Sequence, residues 1–302
     1  MRMKTMIVLA LSLASLSAAA QGCRDTVETK TVVNEIQVVH NVPPQVPESM
    51  EFAGQKVDLR DCDRRERMDR ELMTFTYMHT TSSLMLKRSA RYFPVVEPIL
   101  KEYGIPDDLK YLMVMESNLD PKAVSSAGAA GLWQFTKATA KTYGLEVRDG
   151  VDERFNIEKE TAAACRYLRD AYRKFGDWMT VAASYNAGQA GIAKKLEEQH
   201  QTSAMDLWLV EETARYMYRV LAAKMLFTDP ASFGFSIAEE DKYPYVEPRE
   251  VVKVSETIPD LVKFADEHRV TYARLKAANL WLRDSKLDNP NGKEYRIVIP
   301  GF

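Results

Sequence analysis

Histidine is scarce in this chain, and its four copies (His40, His79, His200 and His268) lie too far apart for the ligand spacings of a metal site. Cysteine is scarcer still. Of the three, Cys23 lies near the start, and Cys62 and Cys165 fall in the part that reads as folded. Cys165 sits on the apolar stripe Thr161, Ala164, Cys165, Leu168, Tyr172, Phe175, where a small buried hydrophobe is the default reading. Sequence alone leaves open whether it pairs with Cys62. There is no excess of positive charge: the formal net charge is -2, which excludes a broad electrostatic grip on nucleic acid. No internal repeat or long low-complexity tract interrupts the chain. Methionine and tyrosine, 14 of each, are scattered at helical spacings and suit a packed core rather than a cofactor box. No cofactor or metal is expected.

What is present begins with MRMKTMIVLALSLASLSAAA. Arg2 and Lys4 precede the apolar run Met6 to Leu16, and small residues follow up to Ala20. Residues 1–20 read as an export signal, too short for a spanning helix. Ala20-Gln21-Gly22-Cys23 partly matches a lipoprotein cleavage box, so lipidation of Cys23 and simple cleavage after Ala20 both stay open. Residues 21–60 carry Pro43, Pro44 and Pro47 among polar residues without a sustained period, and are expected to be an extended tether.

Helical patterns dominate from about Arg64. Met68, Leu72, Phe75 and His79 share one face of a first long helix, and a second is expected over roughly Arg88 to Tyr103, stopped by Gly104. A third, PDDLKYLMVM, places Pro106, Asp107 and Asp108 in its first turn and Leu109, Leu112, Met113 and Glu116 on one face. Glu116 thus extends an apolar stripe and stands at the negative end of the helix dipole. Both effects disfavour ionisation, so its pKa should be raised, as a general acid requires. After it come Ser125, Ser126, Ala127, Gly128, Ala129, Ala130 and Gly131, small enough for a backbone to approach a ligand closely, and then Leu-Trp-Gln-Phe. Trp133 and Gln134 are candidates for stacking and amide hydrogen bonds. Taken bare, the same stretch also fits a helix end with an exposed glutamate and a flexible loop. Asp120, in an Asn-x-Asp-Pro turn, reads as a local cap.

The order Glu-Ser, Asn-x-Asp-Pro, a Ser, Gly-Ala-x-Gly-x-x-Gln and, much later, Tyr-Asn-Ala-Gly resembles the lytic murein transglycosylases. These are the soluble-lytic-transglycosylase-like enzymes related to goose-type lysozyme, and Trp133 before Gln134 is similar to the membrane-bound transglycosylase D type. The resemblance covers roughly residues 95 to 227. It implies a mainly α fold, with a lysozyme-like all-helical catalytic domain over residues 61–228. It also implies cleavage of the β-1,4 bond between N-acetylmuramic acid and N-acetylglucosamine with formation of a 1,6-anhydro ring. By this resemblance Glu116 is the catalytic acid and then base, needing no second carboxylate because the substrate supplies the nucleophile. Ser117, Ser125, Gln134, Tyr185, Asn186 and Tyr216 are the implied substrate-binding or cleft-lining residues. The implied partner is peptidoglycan, in the periplasm or cell envelope, with outer-membrane association if Cys23 is lipidated. A hydrolytic muramidase and a non-catalytic wall-binding protein are the alternatives; an intact Glu116 with Ser125, Gln134 and Tyr185 favours the enzyme.

Composition shifts at Thr228. Residues 229–244 hold Asp229-Pro230, Gly234, an acidic cluster and Pro244, and are expected to be a linker between two separate cores. Residues 245–302 then run as a β-branched stretch at Val251 to Val254, two short helical patterns, and a second β-type stretch at Arg296 to Ile299. This β-α-α-β order resembles a LysM peptidoglycan-binding module. Ser255-Glu256-Thr257 replaces its usual Gly-Asp-Thr turn, and the stretch from Trp281 to Asn291 is long for it.

Overall fold

A computed structural model describes residues 42–301; the export signal and Cys23 lie outside the described residues. The chain is mainly α, with ten helices and three two-stranded antiparallel pairs among the described residues. None of those helices is long and apolar enough to cross a membrane.

The first pair corrects the expected tether. Strands β1 (Ser49–Phe52) and β2 (Gln55–Asp58) form a hairpin around Ala53 and Gly54, which both take positive φ (53° and 76°) as a two-residue turn requires. Phe52, Val57 and Leu59 bury completely or nearly so in the main core. The Ala53 amide donates to Asp108 at 2.7 Å and Lys224 donates to the Glu51 carbonyl at 2.7 Å. Apolar residues flanking an Ala-Gly turn outweigh the three prolines that precede them.

Helix α1 (Cys62–Tyr77) starts at Asp61, whose side chain accepts from the Asp63 and Arg64 amides. It ends two residues before the sequence suggests: Met78 leaves helical geometry (φ -84°, ψ 58°), and His79 begins α2 (His79–Glu102) instead of closing α1. Helix α2 runs through Pro94 and Pro98, four residues apart and so on one face. Next come α3 (Lys110–Ser117) and α4 (Lys137–Thr142), then the short pair β3 (Val147–Arg148) and β4 (Val151–Asp152). Helix α5 (Ile157–Phe175), capped by Asn156 and stopped by Gly176 at φ 69°, is followed by α6 (Trp178–Ala187), α7 (Gln189–Glu198) and α8 (Glu211–Thr228). Leu112, Met113 and Val114 of α3 are fully enclosed, with α2 and α8 packed against that helix. Burial of so many sides marks α3 as the helix around which the others gather. Glu71 of α1, 1% exposed, receives Arg215 Nε at 2.7 Å and Arg219 Nε at 3.3 Å from α8, so a buried charge is paired where the two helices meet.

Cys165 is buried and Cys62 exposed, and both are free thiols. Burial pushes the Cys165 thiol up to about 12, so it stays protonated and inert.

Residues 229–244 do not hang free. Pro230–Phe233 and Glu239–Asp241 form short 3-10 turns, and Phe233 and Phe235 are buried in the main core. The C-terminal module follows as β5 (Pro248–Val254), α9 (Leu261–Glu267), α10 (Tyr272–Ala278) and β6 (Tyr295–Pro300). Its strands pair antiparallel with Val251 opposite Val298 and Val254 opposite Tyr295. Asn279, fully buried, ties α10 to β6 by donating to the Leu275 and Val298 carbonyls and accepting from the Val298 amide. The module does not own its core alone: Ala130, Val151 and Phe155 of the helical part are packed into it. Two independent cores were expected; the second is shared.

Candidate active site

Helix α3 ends just past Glu116 because Asn118 and Leu119 turn left-handed (φ 50° and 56°). That stop leaves Glu116 on the last turn, facing α8. Tyr216 of α8 donates its hydroxyl to Glu116 Oε1 at 2.7 Å. Burial pushes the Glu116 carboxyl up to about 7; the Tyr216 hydrogen bond pulls it back in part, and the nearby charge of Glu212 adds a further upward push. The side chain remains partly open to solvent, so a ligand can reach it. Burial also holds the hydroxyls of Tyr185 and Tyr216 well above their ordinary range, and Tyr167 is pushed up to about 12. Glu116 therefore faces neutral hydroxyls that can hold or orient it but cannot act as bases near neutral pH.

The turn from Gly128 to Phe135 is joined to this site through Tyr185, which feels the charge of Glu116. Ala130 and Phe135 exchange backbone hydrogen bonds (3.0 and 3.2 Å), which closes the turn on itself. Gln134 takes φ 51°, a left-handed conformation rare for a residue with a long side chain. Its Nε2 donates to the carbonyls of Gly131 (2.8 Å) and Ala123 (3.1 Å), which leaves the amide's carbonyl end for a donor on a ligand. Trp133 does not stack on anything from outside. It is fully buried, its indole N–H donating to Thr161 Oγ1 at 3.0 Å, which corrects the expected stacking role. The Trp133 carbonyl accepts the Tyr185 hydroxyl at 2.7 Å, so α6 and the turn are fastened together beside Glu116.

The other candidate residues divide. Ser125 is exposed and accepts the Ala129 amide at 3.1 Å, bracing the base of the turn. Asn186, at the end of α6, accepts from Thr213 Oγ1 at 2.8 Å. Ser117 turns inward: it is buried, and its hydroxyl donates to the Met113 carbonyl at 3.1 Å one turn back in α3. Asp120 accepts the Lys122 amide at 3.0 Å in a local turn of its own.

Sequence reasoning missed the residues behind the turn. Glu160, on α5, is fully enclosed and accepts the Trp133 amide at 3.1 Å; burial pushes its carboxyl well above the ordinary range. Arg154, 4% exposed, donates to the carbonyls of Gly128 (2.7 Å) and Phe135 (3.0 Å), the two ends of the turn. Glu160 lay on the buried face of an amphipathic helix, where a carboxylate breaks the pattern; that misplaced charge was the available signal. Among the described residues no group of three or more histidine, cysteine or acidic side chains is placed to hold a metal. A groove of about 460 Å³ between α2 and the C-terminal module is lined by Arg91, Tyr92, Phe155, Arg274 and Trp281, and none of Glu116, Gln134 or Tyr216 borders it.

Residues 96–207 match the transglycosylase SLT domain family, and residues 250–301 match the soluble lytic transglycosylase C-terminal LysM-like domain family. Over 95% of its length the chain is 27% identical to membrane-bound lytic murein transglycosylase D of Escherichia coli (strain K12). It spans 62% of the length of that relative. A 118-residue stretch is 38% identical to the peptidoglycan transglycosylase gp16 of Escherichia phage T7, covering 38% of this chain and 9% of that one. Among solved structures, the 70 kDa soluble lytic transglycosylase of Escherichia coli aligns with 59% of this chain and 33% of its own at 17% identity and a TM-score of 0.42.

Proposed function

We propose that this chain is a peptidoglycan lytic transglycosylase of the cell envelope, cleaving the β-1,4 bond between N-acetylmuramic acid and N-acetylglucosamine and closing a 1,6-anhydro ring. The observation that carries this reading is Glu116: a carboxyl raised to about 7 and held by one tyrosine hydroxyl at 2.7 Å, within a stretch that matches the SLT family. At neutral pH a large fraction of it is protonated. It donates that proton to the departing glycosidic oxygen, then, as carboxylate, takes the proton of the C6 hydroxyl that closes the ring. Tyr216 fixes the carboxyl's orientation through both steps. The carbonyl end of Gln134, with Ser125, Tyr185 and Asn186, faces the acetamido groups of the glycan. Ser117 contributes by securing the end of α3. The export signal and the lipidation of Cys23 belong to the same proposal, as does glycan binding by the C-terminal module.

Solubilisation of purified murein sacculi across a pH series tests it. Because Glu116 must be protonated to start the reaction, release of muropeptides should fall as pH rises through about 7. Tyr216→Phe removes a hydrogen bond that lowers the Glu116 pKa, so the alkaline limb should move to higher pH while the rate drops. Absence of release at every pH would contradict the reading, and a limb that Tyr216→Phe leaves in place would remove Glu116 from the role of acid.

A further inference from the structure

The C-terminal module touches the helical part through the ladder β3–β4. Strands of two residues have little stability of their own. Here the module extends them: Val151 bridges antiparallel to Leu282, the Asp152 amide donates to the Trp281 carbonyl at 2.9 Å, and the Arg283 amide donates to Gly150 at 2.9 Å. The long stretch after α10, a departure from the LysM pattern, is the segment used for this docking. A polar rim surrounds it. Arg148 donates to the Asp288 carbonyl at 2.8 Å, the Tyr295 hydroxyl contacts both oxygens of Glu146 at 2.9 Å, and Lys293 reaches Glu146 and, at 2.9 Å, Glu153.

From this contact a chain of buried polar groups runs to the active-site turn. Asp152, its amide pinned by the module, accepts Arg154 Nε at 2.9 Å and Nη2 at 2.7 Å. The remaining nitrogen of the same guanidinium holds Gly128 and Phe135, the two ends of the turn. Ala130, in the middle of the turn, lies in the module's own apolar core. The Arg154 charge is almost fully enclosed and paired with Asp152, so any shift of Asp152 leaves a buried cation poorly matched.

We propose that the C-terminal module is a brace for the active-site turn, acting through Asp152 and Arg154 as positioning residues for Gln134. The proposal rests on the reading of that turn as a wall of the substrate cleft, but its test does not need turnover. Amide hydrogen exchange would be followed in the full chain for wild type, Lys293→Ala/Tyr295→Phe and Arg154→Lys. The double variant removes rim contacts from the module side while keeping the Tyr295 ring that stacks on Trp281. Arg154→Lys keeps the charge and loses the fork that spans Asp152 and the turn. Exchange at Ala130 and Phe135 is expected to quicken about tenfold or more in both variants while the amides of α5 keep their protection. Loosening confined to residues 280–295 would overturn the brace, and so would a uniform rise that includes α5. With substrate, Arg154→Lys should raise KM more than it lowers kcat and leave the Glu116 pH limb in place. A loosened turn in a protein whose wild type cleaves no murein would sink the proposed activity and leave the brace standing.

Discussion

Glu116→Gln is expected to lower murein cleavage by about 10²–10⁴-fold, the usual worth of a positioned proton donor. The amide keeps the shape and can still accept the Tyr216 hydroxyl, so folding is retained. The same change should stabilise the protein above neutral pH. In the folded chain burial raises the carboxyl from 4.5 to about 7, so between those values the folded state keeps a proton that the unfolded state gives up. Stability therefore falls as pH rises across that window and stays reduced above it. The amide has no such penalty. Because Glu116 is partly open to solvent, the gain at pH 8 is roughly 1–3 kcal/mol, and it should vanish near pH 4. Thermal melts at the two pH values, beside turnover on sacculi, check both halves. A glutamine variant that keeps its turnover, or melts below wild type at pH 8, would remove Glu116 from the centre of the mechanism.

Gly131→Ala should be the most damaging of the glycine-to-alanine substitutions among the described residues. Gly131 takes φ +84°, and a methyl group there would lie 1.8 Å from the Arg154 carbonyl oxygen and 2.4 Å from Glu160 Oε2. The first of these is backbone, tied down by the neighbouring network, so it cannot step aside cheaply. Strain and overpacking together should cost roughly 3–5 kcal/mol, a fall in Tm on the order of 10 °C. Gly128→Ala is the internal control. Its φ is +76°, but nothing lies within 4 Å of the added carbon, so only about 1 kcal/mol of backbone strain applies. Equal melting shifts for the two variants would show that the turn is not packed against Arg154 and Glu160 as described.

The sequence made much of this site legible, because helix periodicity and burial act locally. The stripe ending at Glu116 and the small residues after it pointed to a raised carboxyl facing a close backbone approach. The raised pKa and the αL stop at Asn118 agree with that picture. What remained hidden was set by long-range packing. Trp133 looked like a ligand platform because nothing local says which way an indole turns; Thr161, 28 residues away, takes its N–H inward. Residues 42–60 looked like tether because prolines are loud and a four-residue strand is not. The 229–244 segment looked like a free linker, yet Phe233 and Phe235 anchor it. Arg154 and Glu160 reach the turn across 19 and 27 residues of chain, a separation that no local pattern shows.

The most direct test of the central proposal is the mass of the muropeptide ends. An inverting hydrolase needs a base to activate water on the far face of the sugar, and the Tyr185 and Tyr216 hydroxyls at this site are held neutral. The tethered C6 hydroxyl has a large proximity advantage over free water as the attacking group. Sacculi digested with the full chain and analysed by mass spectrometry should give fragments ending in 1,6-anhydro-N-acetylmuramic acid, each lighter by one water than its hydrolytic counterpart. Fragments ending mainly in reducing N-acetylmuramic acid would contradict the account and make Glu212, the other carboxylate whose charge Glu116 feels, the first residue to examine as the missing base.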